Sequence, residues 1–290
     1  MSIKTKASVA FSVDFEDWFQ GIEIPMQQWE QYEPRLEKGT QPLLDMLEKN
    51  QVRATFFALG YIARKNPEWI KTISSKGHEL ASHGYSHEKV YNLTPAAFRE
   101  EIATTKKLIE DLTGKPVLAY RAPYFSITSD SLWALEVLAE EGYTIDCSIS
   151  PIKTWRYGIA NCPDEIFYIP EVKLIEFPVS PFKILTKRLA IGGAYFRLFP
   201  YFLTRNGIRS RVENNQPTMF YIHPWEYDPK HPVVDIHWKA KITHYTGLTN
   251  TIPFTQKLLQ EFSFKTVSEL VQDYGGKNSY KNISLSLLKD

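Results

Sequence analysis

Residues 8–14 read SVAFSVD, a short apolar run that stops on a carboxylate, and Phe15-Glu16-Asp17 adds two further acids directly beyond it. Runs of the same kind recur at 53–59 (RATFFAL), 79–83 (ELASH), 117–121 (VLAYR), 143–148 (YTIDCS), 174–179 (LIEFPV), 218–223 (TMFYIH) and 263–267 (SFKTV). Segments with helical patterning separate them. The sharpest has Thr94 as N-cap, Pro95 at the first helical position, apolar Phe98, Ile102, Leu108, Ile109 and Leu112, then Gly114 and Pro116 as stop signals. A second runs from Ser129 to Glu141 and closes at Gly142, and others lie near 40–49, 66–76 and 251–262. Short apolar runs alternating with capped helices are the pattern of repeated β-α units. The expected fold is therefore α/β, a modified (β/α) barrel of seven or eight strands. The aromatic stretch 192–206 (GGAYFRLFPYFLTRN) breaks the rhythm and reads as an insertion or as the helix of a modified barrel.

Composition agrees with one large core. The chain has 290 residues, 43% of them hydrophobic, with 14 Gly and 18 Pro, which excludes collagen, disorder and coiled coil. With 34 basic against 33 acidic side chains there is no overall field to hold nucleic acid or an anionic membrane. No stretch approaches the ~18 uncharged residues of a membrane span, so no transmembrane segment is expected. Met1-Ser2-Ile3-Lys4-Thr5-Lys6 leads into an apolar run too short for a secretory signal, and Cys147 and Cys162 form no disulfide framework. A cytoplasmic location is expected, with association to the inner membrane as its variant. The sequence leaves the oligomeric state open.

In parallel α/β folds, ligands gather at the carboxyl ends of the strands, where the loops converge. Asp14, His83, Arg121, Asp146 and His223 all fall at or near such ends. His83 and His87 have the i, i+4 spacing that puts two imidazoles on one side of a helical turn, able to grip one metal ion. Two imidazoles and one carboxylate leave coordination positions open, as in a catalytic site. Among Asp14, Glu16 and Asp17, one acid can bind the metal while another takes a proton from water. Arg121 brings a guanidinium to the same rim, where it would orient Asp14 and favour its ionised form. Pro123 fixes the backbone so that the Tyr124 amide can serve as an oxyanion donor. His223, closing an apolar strand, is the natural general acid. The remaining histidines, His78, His231, His237 and His244, read as structural or surface residues; a second metal site around Glu226, Asp228, His231 and Asp235 is the alternative.

These motifs, in order, resemble the polysaccharide deacetylase superfamily, the NodB-homology fold of carbohydrate esterase family 4. The resemblance is carried by SVDFED (12–17), RATFFALG (53–60), HGYSH (83–87), RAPY (121–124), Asp146-Cys147-Ser148 and Ile222-His223. The chain looks closest to the subgroup encoded with PEP-CTERM/exosortase exopolysaccharide loci, through its SVDFEDW opening, the glycine pair before Tyr195-Phe196-Arg197, and His223-Pro224-Trp225-Glu226. It implies a single catalytic domain with a subgroup-specific C-terminal extension over about 180–275.

Carried over residue by residue, the resemblance implies Asp14 as general base, His83 and His87 as metal ligands, Arg121 as the brace of the base, Tyr124 as backbone oxyanion donor and His223 as general acid. The family's second opening aspartate is replaced by Phe15, so Glu16 is expected to be the acidic ligand, with Asp17 as the substitute. Asp146 is expected to tune Arg121 or His223. Trp18, Phe19, Tyr85, Tyr124, Phe125 and Trp225 suit sugar faces. The implied activity is hydrolysis of N-acetyl groups on an N-acetylhexosamine poly- or oligosaccharide, an exopolysaccharide or its lipid-linked precursor, with a divalent metal, zinc, and release of acetate. The rivals are an allantoinase-like hydrolase of a small cyclic amide, a metal-free barrel glycosidase pairing Asp14 with Glu226, and a catalytically silent sugar-binding protein.

Overall fold

A computed structural model describes residues 8–154, 156–184 and 187–289; the leading segment Met1–Lys6 lies outside the described residues. Seven strands run parallel in one sheet: β1 (Ser8–Phe15), β2 (Thr55–Ala58), β3 (Glu79–Ser82), β4 (Ala119–Tyr120), β5 (Ile145–Asp146), β7 (Leu174–Glu176) and β10 (Thr218–Ile222). Their spatial order is β10-β1-β2-β3-β4-β5-β7. β6 (Phe167–Ile169) adds antiparallel to β7, and β12 (Lys281–Asn282) pairs with β6. β8 (Pro181–Ile184) and β9 (Lys187–Ala190) form a separate hairpin.

Each of the eight apolar runs contains a strand, but the last, β11 (Ser263–Lys265), takes no place of its own in the ring. It is three residues long and pairs only with Ser8–Ala10 of β1, below the point where β2 begins its pairing at Ser12. No ladder joins β7 to β10. Single hydrogen bonds bridge that gap: Ile191 N–H donates to Ser180 O at 2.9 Å, and Tyr221 N–H donates to Ile191 O at 3.3 Å. The bridging chain comes so near β10 that a Cβ on Gly192 would lie 2.2 Å from Tyr221 O, at a φ of +138° that side chains avoid.

Strand alternation sorts the core. On β1, Val9, Phe11, Val13 and Phe15 pack outward against the helices, whereas Ala10 joins Phe57, Ala81, Ala119, Ile145, Cys147, Phe177 and Met219 inside the ring. The outer layer is made by α1 (Leu36–Lys49), α2 (Gly60–Lys65), α3 (Pro67–Ser75), α4 (Pro95–Thr113), α5 (Trp133–Glu140), α6 (Gly193–Leu198), α7 (Tyr201–Glu213), α8 (Trp238–Tyr245) and α9 (Thr251–Glu261). α10 (Val267–Asn278) instead sends Val267, Leu270 and Val271 into the inner cluster and closes its amino-terminal end. The opposite end, where the strand carboxyl termini lie, is left for polar groups. The 192–206 stretch is two helices, α6 and α7, parted at Phe199-Pro200, and it leads into β10. No helix of the described residues is long and apolar enough to cross a membrane.

Candidate active site

Asp14 is the last inward-facing residue of β1, and one of its oxygens is ion-paired with Arg121 Nη1. Arg121 is fully buried inside the ring. Its Nη2 lies 2.9 Å from Ser12 Oγ and 2.8 Å from Met219 Sδ, and its guanidinium carbon sits 4.0 Å from the centre of the Phe57 ring. A cation held on its far side by a hydroxyl and an aromatic face presents its charge to Asp14. Asp14 Oδ1 is thereby pinned, while Oδ2 lies 3.8 Å from His223 Nε2.

Glu16, His83 and His87 converge, with one potential ligand atom of each within 4.8 Å of the others, and all three are buried. His83 Nδ1–H donates to Arg121 O at 2.8 Å, which leaves Nε2 with the free lone pair a metal needs. Burial pushes the His83 imidazole down to about 4, so it is neutral at physiological pH. Glu16 Oε1 accepts from the Trp225 indole N–H at 3.0 Å, and Oε2 lies 2.7 Å from His87 Nε2. Burial alone would raise the Glu16 carboxyl, but His87, His223 and His83 outweigh it and hold it at about 2. Among the described residues nothing bonds His87 Nδ1, and Glu16 Oε2 has no hydrogen-bond donor beyond the His87 contact. Two imidazoles and an ionised carboxylate, underused in a buried corner, fit a divalent cation.

Asp17 is committed elsewhere. Its Oδ2 accepts the N–H groups of Arg35 (2.8 Å) and Leu36 (2.9 Å), and Oδ1 that of Trp18 (2.8 Å), so it caps the amino end of α1.

His223 faces this corner from the end of β10, and a 3-10 turn at Pro224–Tyr227 follows it. Its Nδ1 lies 2.7 Å from Glu226 Oε1, and Nε2 lies 3.9 Å from Glu16 Oε1. Burial lowers its pKa, but the bond and charge of Glu226, then the charges of Glu16 and Asp14, raise it on balance to about 9. Glu226 is itself paired with Arg197 of α6, whose guanidinium also donates to Thr246 O (2.6 Å) and Thr243 O (2.8 Å). Burial raises the Glu226 carboxyl, yet Arg197 and His223 together bring it below the usual range. Being fully buried in this chain, Glu226 has no face open to a sugar, which removes the two-carboxylate glycosidase.

The other expectations divide. Asp146 reaches neither Arg121 nor His223 through any hydrogen bond; its Oδ1 accepts from Ser148 Oγ at 2.5 Å. Trp18, Phe19, Phe125 and Trp225 are buried packing residues, and only Tyr85 and Tyr124 keep part of their surface. Tyr124 has a left-handed φ of +56°, and the bonds of its turn run from Phe125 N to Ala122 O and from Ser126 N to Pro123 O, so its own N–H takes no part. The second metal cluster does not assemble among the described residues: Asp228 is held by Arg35 at 2.6 Å and Glu226 by Arg197. Arg197 and the orienting role of Glu226 have only a faint sequence signal, an acid three residues after His223.

Residues 29–145 match the family model described as Polysaccharide deacetylase, and residues 147–272 match one described as Domain of unknown function (DUF3473). A peptidoglycan-N-acetylglucosamine deacetylase of Bacillus cereus is 36% identical over 98 residues, 33% of this chain and 36% of that protein. The chain spans half or less of the length of the curated relatives it matches, down to 15%. The crystal structure of a Mycobacterium smegmatis protein described as a polysaccharide deacetylase superposes with a TM-score of 0.66 at 19% identity, covering 97% of this chain and 93% of that one. The allantoinase Puue superposes with a TM-score of 0.60 at 14% identity, covering 94% and 92%. The two structures share the fold of this chain, and its residues 29–145 are similar to the polysaccharide deacetylase family.

Proposed function

We propose that this chain hydrolyses the N-acetyl group of an N-acetylhexosamine-containing glycan, leaving a free amino sugar and acetate. The observation that carries the reading is the convergence of Asp14, the Glu16-His83-His87 corner and His223 at one end of the strands. Glu16, His83 and His87 would hold a divalent cation, and zinc suits a donor set of two imidazoles and one carboxylate. When bound, such an ion supplies Lewis acidity, drawing charge from the amide carbonyl and acidifying water.

The chain's own groups do the rest. Arg121 pins Asp14 Oδ1, so Oδ2 is the atom that takes the proton from the attacking water. The Tyr124 N–H, uncommitted in its turn, donates to the oxygen on which negative charge develops. His223, protonated through its bond to Glu226, gives its Nε2 proton to the departing sugar nitrogen. Trp225 stacks on His223 at 5.0 Å while bonding Glu16, and so fixes the acid and the carboxylate relative to each other.

Two of the matched relatives are described as a peptidoglycan-N-acetylglucosamine deacetylase and a chitooligosaccharide deacetylase, which favours a glycan over a small ureide. An exopolysaccharide or its lipid-linked precursor, met at the cytoplasmic side, is the specific substrate we infer from the sequence resemblance. The test is acetate release from N-acetylglucosamine oligomers beside turnover of allantoin. Acetate release by the wild type that falls at least about 10²-fold in Asp14→Asn is expected; turnover of allantoin alone would overturn the reading.

A further inference from the structure

Beneath the Arg121–Tyr124 turn lies a second pair of acids that the chemistry above does not use. β5 and β7 pair in parallel with Asp146 opposite Glu176, and both side chains are fully buried. Asp146 Oδ1 accepts from Ser148 Oγ at 2.5 Å, and that hydroxyl accepts from the Ala122 N–H at 2.8 Å. Glu176 Oε1 accepts from the Ile149 N–H at 3.0 Å. One oxygen on each acid, Asp146 Oδ2 and Glu176 Oε2, has no donor among the described residues. Arg121, the nearby cation, is spent on Asp14.

Building on the proposed function, we infer that Glu176 and Asp146 share one proton and, through the Ser148 hydroxyl, act as positioning residues for the turn that presents the Tyr124 N–H. The direction of each bond follows from the atoms. Ser148 can accept from Ala122 only while its own hydrogen points at Asp146 Oδ1, so Oδ1 is an acceptor and carries no proton. Oε1 of Glu176 is taken by Ile149 in the same way, so the shared proton lies between Glu176 Oε2 and Asp146 Oδ2. Two ionised carboxylates side by side without a cation would repel in a dry wall, and one neutral acid removes that cost. Burial and the neighbouring Asp146 raise Glu176 well above the usual range, in agreement. The Ala122 peptide is two residues before Tyr124, so a displacement there moves the oxyanion donor directly.

The experiment reads the proton and the position separately. The infrared difference spectrum of wild type against Glu176→Gln should contain a carboxylic-acid C=O band at neutral pH. Ser148→Ala should lower kcat for acetate release roughly ten- to a hundredfold with KM held, Ser148→Thr should restore most of it, and Glu176→Gln, whose amide can still donate to Asp146, should keep kcat within about threefold. Absence of the band, or Ser148→Ala at full kcat, overturns the inference. If the wild type released no acetate, the proposed function would fall, while the infrared band would still decide whether the pair holds a proton.

Discussion

Glu226 shows how one side chain sets the state of another. His223 sits in a place where burial should strip its proton, and the carboxylate at 2.7 Å reverses that and takes the imidazole to about 9. The alkaline limb of the kcat profile should therefore fall near pH 9, and Glu226→Gln should move it about one unit or more toward acid; an unmoved limb would mean that another group is the acid. Stability follows the same sign. A raised folded pKa makes the His223–Glu226 contribution complete below about 6.5 and lost as pH climbs through about 9, so urea midpoints should decline across that window and Glu226→Gln should flatten the decline. Much of this scale was legible: Asp14, His83, Arg121 and His223 announce themselves as polar residues ending apolar runs. The Arg197–Glu226 pair did not, because its members are 29 positions apart and only burial turns them into an obligatory pair. Asp17 misled for the opposite reason, since an acid beside Glu16 looks like a ligand until the amino end of α1 is seen resting on it.

At the scale of elements, α1 and the turn after β10 are fitted to one another. A Cβ on Gly39 of α1 would stand 2.0 Å from the Pro224 carbonyl, so the helix can touch the His223-Pro224-Trp225 segment only without a side chain there. Alanine normally gains up to about 1 kcal/mol over glycine inside a helix. Here Gly39→Ala should instead destabilise by about 1–3 kcal/mol through overpacking, read as a lower urea midpoint at unchanged slope. A midpoint equal to or above wild type would show that α1 yields freely. The helix at 94–114 was readable because its caps are local: Thr94 Oγ1 accepts from Ala97 N at 3.2 Å, and Gly114 takes a left-handed φ of +67°. The strands β6, β8, β9 and β12 were not: Lys187–Ala190 and Lys281–Asn282 carry no apolar run, and Lys281–Asn282 finds its partner only at Phe167–Tyr168.

Taken whole, the molecule is a ring of parallel strands with an apolar, helix-plugged base and a polar rim. The rule that ligands collect at strand carboxyl ends made the rim readable before any coordinates. The sealing of that rim was not, because aromatics that suit sugar faces and aromatics that fill a core are the same residues in sequence; Trp18 and Trp225 went to the core side, one donating to Glu33 O and the other to Glu16. What the arrangement leaves exposed to chemistry is a corner of two imidazoles and one carboxylate beside a braced base. The most direct test is acetate released from an N-acetylglucosamine oligomer as zinc is titrated into chelator-stripped protein. Release should be absent without metal, rise to a plateau near about one equivalent, and stay absent in Glu16→Gln at the same loading. Release that is equal with and without metal, or no release at saturation, would contradict the account.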